Sequence, residues 1–263
     1  MQERLSGSTE GSGGLPGRRA WVEQVMGLPV SVHVRALDPH REDIAVAVLR
    51  VFDHLRLVDR VFSTWRADSD LLRLQHHEAV PDIGSESLHP WLAEVVDLSL
   101  EAEERTQGLF RAWRAREGGR VVFDPTGLVK GWGVVGATAH LETVDEVAWC
   151  VGAGGDIVAG VGRGMRDAES LWRIGIEDPR DRSRIADVIT LSRNAAATSG
   201  TAARGAHIVD PATGRGIDRI GSATVVGPDL MWADVWATAA FVDAELARTL
   251  MAERDPAYSL TLV

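Results

Sequence analysis

The sequence predicts an α+β fold in which mixed or antiparallel sheets carry packed helices. Amphipathic helix patterns occupy residues 40–62 and 87–107. The middle of the chain instead breaks into short β-rich runs bounded by turn signals, Trp172 to Pro179, Val188 to Leu191 and Ala195 to Thr198. A third observation excludes a doubly wound dinucleotide fold: the glycines from Gly152 to Gly164 do not follow G-x-G-x-x-G spacing and open no helix. At 263 residues the chain can form one large domain or two small lobes sharing a core. A net charge of −10 argues against nucleic acid or an anionic membrane as the main partner, although local donors still permit a nucleotide. No apolar run is long enough to span a bilayer. Cys150 is the only cysteine, so neither an internal disulfide nor a thiolate metal cluster is possible.

Residues 1–20 read as a Ser/Gly-rich disordered tail without an apolar leader, which implies a cytoplasmic protein; residues 21–263 read as a single structured domain. Met26-Gly27-Leu28-Pro29 interrupts the first segment, and Val30 to Val34 alternates as a strand. His33 fits either a buried position or the outward side of an edge strand. The helix over residues 40–62 carries Ile44, Val48, Val51, Leu55, Val58 and Phe62 on one face and delivers Ser63-Thr64-Trp65 at its end. Asp68-Ser69-Asp70 caps a short helix ending near His76-His77, a pair with no third ligand at metal spacing. The next helix, residues 87–107, is expected to face inward with Leu92, Val95, Val96, Leu100 and Ala102.

The stretches with chemical content follow. In Asp124-Pro125-Thr126-Gly127, proline and glycine favour a tight turn that leaves the Gly127 carbonyl able to face a cation. A helix expected from Leu128 to about Leu141 then holds Lys130, the only lysine of the chain, in its positive first turn. Phosphate binding and a solvated lysine on a capped helix both remain open there. A strand over residues 144–151 leads to Gly152-Ala153-Gly154-Gly155-Asp156-Ile157, where Gly154 and Gly155 allow close approach of a ligand and Asp156 fixes the loop. From Thr198 to Gly214, Gly200 lets backbone N–H groups approach an anion and Ser199 and Thr201 add hydroxyls. His207 enters a strand that Asp210-Pro211 ends; taken alone, it reads as a satisfied core histidine rather than a catalytic one. Asp234 and Thr238 lie four apart on a helix beginning near Met231, so their oxygens share a face. With the Gly127 carbonyl they suit a hard cation such as Mg²⁺; a capping Asp and a Thr bonded back to the helix are the alternative. The helix over 243–253 and the strand over 258–263 read as structural.

Four stretches in fixed order, Asp124 to Gly133, Gly152 to Ile157, Thr198 to Gly214 and Ala233 to Ala239, resemble the FAD:protein FMN transferases, the ApbE-type flavinyltransferases. The family patterns are approximately D-x-G-x-x-K-G, N-x-G-G-D-I, S-G-x-x-x-R followed by H-I-x-D-P-x-T-G, and A-D-x-x-A-T-A. Met26-Gly27 and Phe62-Ser63-Thr64-Trp65 before Asp68 also fall in order, so the resemblance covers residues 22–263. It implies a T-fold-like architecture with two lobes around a nucleotide site. It also implies Mg²⁺-dependent transfer of FMN from FAD to a Thr or Ser hydroxyl of an acceptor redox protein, with release of AMP. Carried onto this chain, His207 takes the hydroxyl proton, and Gly127, Asp234 and Thr238 hold the metal. Met26, Trp65, Asp124, Lys130, Gly154, Gly155, Ser199, Gly200, Arg204 and Ile208 shape the FAD site. The chain departs from the pattern at Gly152, where relatives carry Asn, at Arg111, where they carry an acid, and in the less polar run Thr201-Ala202-Ala203. Two other readings stay open: a Mg²⁺-dependent FAD pyrophosphatase giving FMN and AMP, and a non-catalytic flavin-binding protein.

Overall fold

Alternating burial turns β1 (Gly17–Val25) and β2 (Leu28–Ala36) into an antiparallel hairpin, with Val30, Val32, Val34 and Ala36 of β2 fully buried. The structure is a computed structural model that describes residues 17–76, 88–115, 119–165, 171–201 and 208–263. The turn is Met26-Gly27, and both residues have positive φ, 56° and 72°. That pair of values matches the type I′ turn, whose twist suits a two-residue hairpin. The strand begins at Gly17, so residues 17–20, read as tail in the sequence, are part of the sheet.

The hairpin is followed by α1 (Glu42–Phe62), α2 (Asp70–His76), α3 (Trp91–Arg105), β3 (Trp113–Ala115), β4 (Val121–Phe123) and α4 (Thr126–Glu142). Next come β5 (Ala148–Ala153), β6 (Asp156–Val161), β7 (Trp172–Asp178), β8 (Asp181–Leu191), β9 (Ala195–Gly200) and β10 (Ser222–Gly227). The chain closes with α5 (Leu230–Val242), α6 (Ala244–Arg254) and β11 (Ser259–Leu262). The main sheet has the order β1-β2-β5-β6-β9-β10-β11, with every neighbouring pair antiparallel. Of the two sheet types the sequence allowed, the structure takes the antiparallel one. No helix among the described residues is long and apolar enough to cross a membrane.

Three packed clusters position the site. The largest joins one face of the sheet to α1, α4, α5 and α6, with Phe52, Leu55, Leu141, Trp236 and Phe241 at its centre. Each such side chain contributes about 1.5–3 kcal/mol by leaving water, which anchors the helix ends that carry polar groups. A second cluster gathers the end of α1 with α2, α3, β4 and the start of α4 through Phe62, Leu71, Leu92, Phe110 and Leu128. The third lies on the opposite face of the sheet, where Trp172 and Leu191 of the β7–β8 hairpin cover Ala148, Cys150, Ala159 and Val161.

Two expectations are corrected. Leu100 is 53% exposed rather than inward, because the buried row of α3 is Leu92, Val95, Ser99 and Ala102. Ser99 is tolerated in that row because its hydroxyl donates to the Val95 carbonyl at 2.6 Å. His33 is not on an edge: β2 is paired on both sides, with β1 and β5.

Candidate active site

A cleft of about 1000 Å³ opens between the two larger clusters. It is reached by the β1–β2 turn, the end of α1, the first turn of α4, the end of β9 and one face of α5. Phe62, Phe110, Trp113 and Ile208 supply apolar lining, and Lys130, Thr198, Ser199, Asp234 and Thr238 supply polar groups.

The polar group is built by close packing of α4 on α5. A Cβ on Gly131 would lie 2.7 Å from Met231 Cα, so only glycine lets the helices approach this closely. Lys130, the preceding residue, reaches two carboxylates: its Nζ lies 2.5 Å from Asp156 Oδ2 and 3.4 Å from Asp234 Oδ2. Asp156 is completely buried at the start of β6, and its Oδ1 accepts the Thr198 N–H at 3.1 Å. Three distant segments are thus joined at one ammonium. The lysine side chain is only 17% exposed, which rules against the solvated alternative.

Asp234 is 3% exposed, and the helix is capped elsewhere: Asp229 accepts the Trp232 N–H at 3.0 Å. The capping alternative for Asp234 therefore falls. Thr238 has a partner on another strand, with its Oγ1 3.1 Å from Ser199 Oγ. The carboxylate and both hydroxyls are hard oxygen donors.

Most sequence-derived site residues line this one cleft: Met26, Trp65, Asp124, Gly127, Lys130, Gly154, Ser199, Gly200, Ile208, Asp234 and Thr238. Gly155 does not; it occupies the β5–β6 turn at φ 105°. His207 and Arg204 lie outside the described residues. Several roles change in detail. Trp65 is 92% exposed and stands at the rim as an open ring. Asp124 shapes the entry to α4, its Oδ1 accepting the Thr126 hydroxyl at 2.7 Å, and it pairs with Arg114 at 3.6 Å. The helix starts at Thr126, so Gly127 lies in its first turn rather than in a loop before Leu128. Gly200 belongs to β9, and the space of its missing Cβ is taken by the Gly221 carbonyl, 2.7 Å from that position. Arg111, the departure from an acid, pairs with Glu103 at 3.2 Å on the cleft wall.

Asp156 fixes its loop, as the sequence predicts, and its pairing with Lys130 also makes it part of the charged centre, a role that its motif alone does not reveal. Its signal was a carboxylate opening an otherwise apolar strand. Trp113, which stands beside Phe110 in the aromatic wall, carried no motif.

Residues 26–113 and 111–260 match the ApbE family. The chain belongs to the ApbE family. Among ApbE relatives, the FAD:protein FMN transferase of Vibrio cholerae is 33% identical over 150 residues, a match covering 53% of this chain and 44% of that relative. The FAD:protein FMN transferase of Salmonella typhimurium is 26% identical over 281 residues, covering 83% and 77%. The chain thus spans less than half the length of the first of these and about three quarters of the second. Solved ApbE structures share the fold. The ApbE protein of Thermotoga maritima superposes with a TM-score of 0.73 at 19% identity, over 94% of each chain. The flavin transferase ApbE from Vibrio cholerae gives 0.69 at 21% identity, over 94% of this chain and 97% of that one.

Proposed function

We propose that this ApbE chain transfers FMN from FAD to a Thr or Ser hydroxyl of an acceptor redox protein, in a Mg²⁺-dependent reaction that releases AMP. The observation that carries this reading is the convergence of Lys130, Ser199, Asp234 and Thr238, from three separate elements, in one cleft large enough for a dinucleotide. Curated relatives bearing the name FAD:protein FMN transferase support it. Met26, Phe62, Phe110 and Trp113 offer flat or adaptable apolar surface for ring systems, and Trp65 offers a further face at the rim.

The all-oxygen donor set fits a hard divalent cation: Asp234, Thr238 and the Gly127 carbonyl would hold Mg²⁺, with phosphate oxygens and water completing its shell. When bound, the ion supplies charge neutralisation at the pyrophosphate. Lys130 and the N-terminal turn of α4 place positive charge beside the same phosphates. His207 takes the proton of the acceptor hydroxyl as its oxygen bonds to the FMN-side phosphorus, while the bond from that phosphorus to the bridging oxygen breaks and AMP departs with the electron pair. Ile208, its chain neighbour, lines the cleft.

The test is incubation of the full chain with FAD, Mg²⁺ and the acceptor domain of a flavinylated redox protein, followed by acceptor mass and AMP. An FMN-sized mass gain that disappears in His207→Ala and Asp234→Ala is expected. AMP and free FMN without labelling would identify a pyrophosphatase, and tight FAD binding with neither product a flavin carrier.

A further inference from the structure

The face of the main sheet turned away from the helices carries a second pocket, of about 310 Å³, beneath the β7–β8 hairpin. Its lining includes Arg18, Ser31, His33, Arg35, Gly152 and Trp172. Nothing in the proposed transfer uses these residues.

Arg18 and Arg35 are direct cross-strand partners in the β1–β2 register. Like charges directly opposite each other destabilise a sheet, yet neither arginine pairs with a carboxylate among the described residues. Both guanidinium groups instead lie over the Trp172 ring, at 3.9 Å for Arg35 and 5.3 Å for Arg18. Arg35 spends one N–H on the Leu171 carbonyl at 2.8 Å. The other fork donors of both side chains meet no acceptor among the described residues.

Two further groups of the lining, Nδ1 of His33 and Nε1 of Trp172, are buried without a hydrogen-bond partner among the described residues. Burial and the two arginines both push the His33 pKa down, so the ring resists adding a third positive charge to the pocket. Ser31 stands opposite Gly152, and a Cβ at that glycine would lie 3.0 Å from the Ser31 hydroxyl oxygen. The departure from Asn at this position therefore leaves the space beside Ser31 open.

We propose that this pocket binds the phosphoryl group of a small anion, either inorganic phosphate or a compact phosphomonoester, clamped between Arg18 and Arg35. Two guanidinium forks with hydroxyl and ring donors suit a tetrahedral oxyanion better than a planar carboxylate, which one fork satisfies. The volume excludes a dinucleotide such as the large cleft admits. The site is independent of the cleft's chemistry.

Calorimetric titration of the full chain with inorganic phosphate, and separately with glycerol 3-phosphate, tests this. One saturable site is expected that persists when FAD fills the cleft and in Asp234→Ala. Arg18→Gln, an exposed position that spares the fold, and the double variant with Arg35→Gln should weaken binding at least about tenfold while FAD binding is unchanged. Gly152→Asn should weaken it by occupying the space beside Ser31. Tighter binding of glycerol 3-phosphate would identify an organic ester as the ligand, and equal binding free phosphate. Displacement of phosphate by FAD, unchanged binding in the double variant, or no binding of either probe would overturn the proposal.

Discussion

Lys130 and Asp156 form a charged contact beside the cleft, with Nζ and Oδ2 2.5 Å apart and the carboxylate completely buried. The pair ties α4 to the β5–β6 turn, and the other carboxylate oxygen ties that turn to β9. Removing one partner of a buried pair leaves the other without compensation, at a cost of about 3–5 kcal/mol. Asp156→Asn keeps an acceptor for Thr198, and Lys130 keeps Asp234 at 3.4 Å, so the lower end of that range is expected. Urea unfolding measures it; a wild-type midpoint would show that the contact contributes nothing to the fold.

Asp234 and Thr238 should differ in how much activity they carry. If Asp234 belongs to the proposed Mg²⁺ site, Asp234→Ala removes its charged member and is expected to lower Mg²⁺-dependent turnover by roughly 10²-fold or more. Thr238→Ala removes one neutral hydroxyl whose neighbour Ser199 remains, and a loss of about tenfold is expected. Initial rates over a range of Mg²⁺ concentrations separate the two, and equal losses would contradict the assignment.

Gly131 carries a structural requirement that runs against local preference. Alanine is the better helix former by about 1 kcal/mol, so Gly131→Ala would stabilise an isolated helix. In the protein the new Cβ meets Met231 Cα at 2.7 Å, backbone that cannot swing aside. A net destabilisation of about 1–3 kcal/mol is expected, with weaker FAD binding as Lys130 shifts away from Asp234. A thermal midpoint at or above wild type would mean that the α4–α5 contact relaxes freely.

Met26 sits at φ 56°, a left-handed conformation that a side chain opposes and glycine does not. Met26→Gly is therefore expected to leave stability unchanged or raise it by up to about 1 kcal/mol. The same change removes a side chain from the cleft and should weaken FAD binding. Flavin fluorescence titration beside chemical denaturation checks both; unchanged affinity would remove Met26 from the binding surface.

Acidification should destabilise the fold through His54 and His33. Both rings have pKa values below their ordinary 6.5, lowered mainly by burial, with His140 adding to the effect at His54 and Arg18 and Arg35 at His33. The unfolded chain therefore binds protons that the folded chain refuses. Stability is intact above 6.5 and is lost progressively as pH falls from there through the folded values. His54→Gln should flatten this slope in a series of urea midpoints, and an unchanged slope would contradict the assignment.

The sequence alone determined the α+β class, the position of α1 and the cleft's polar residues Lys130, Ser199, Asp234 and Thr238, because these are local or motif-borne properties. Helical spacing marks a buried face, and Pro, Gly and Asp at fixed offsets mark turns. It missed most of β8, where Asp181 to Arg184 is polar on both faces and pairing with β7 supplies the order. It placed Leu100 inward because spacing cannot tell which edge of an apolar stripe meets the core. Only the tertiary structure decided that Lys130 lies between Asp156 and Asp234, that Asp229 rather than Asp234 caps α5, and that Arg18 faces Arg35 across two strands. Each is a contact between segments whose separation along the chain carries no signal of their meeting. Charge partners and helix approach are settled by packing, and packing is a property of all the elements at once.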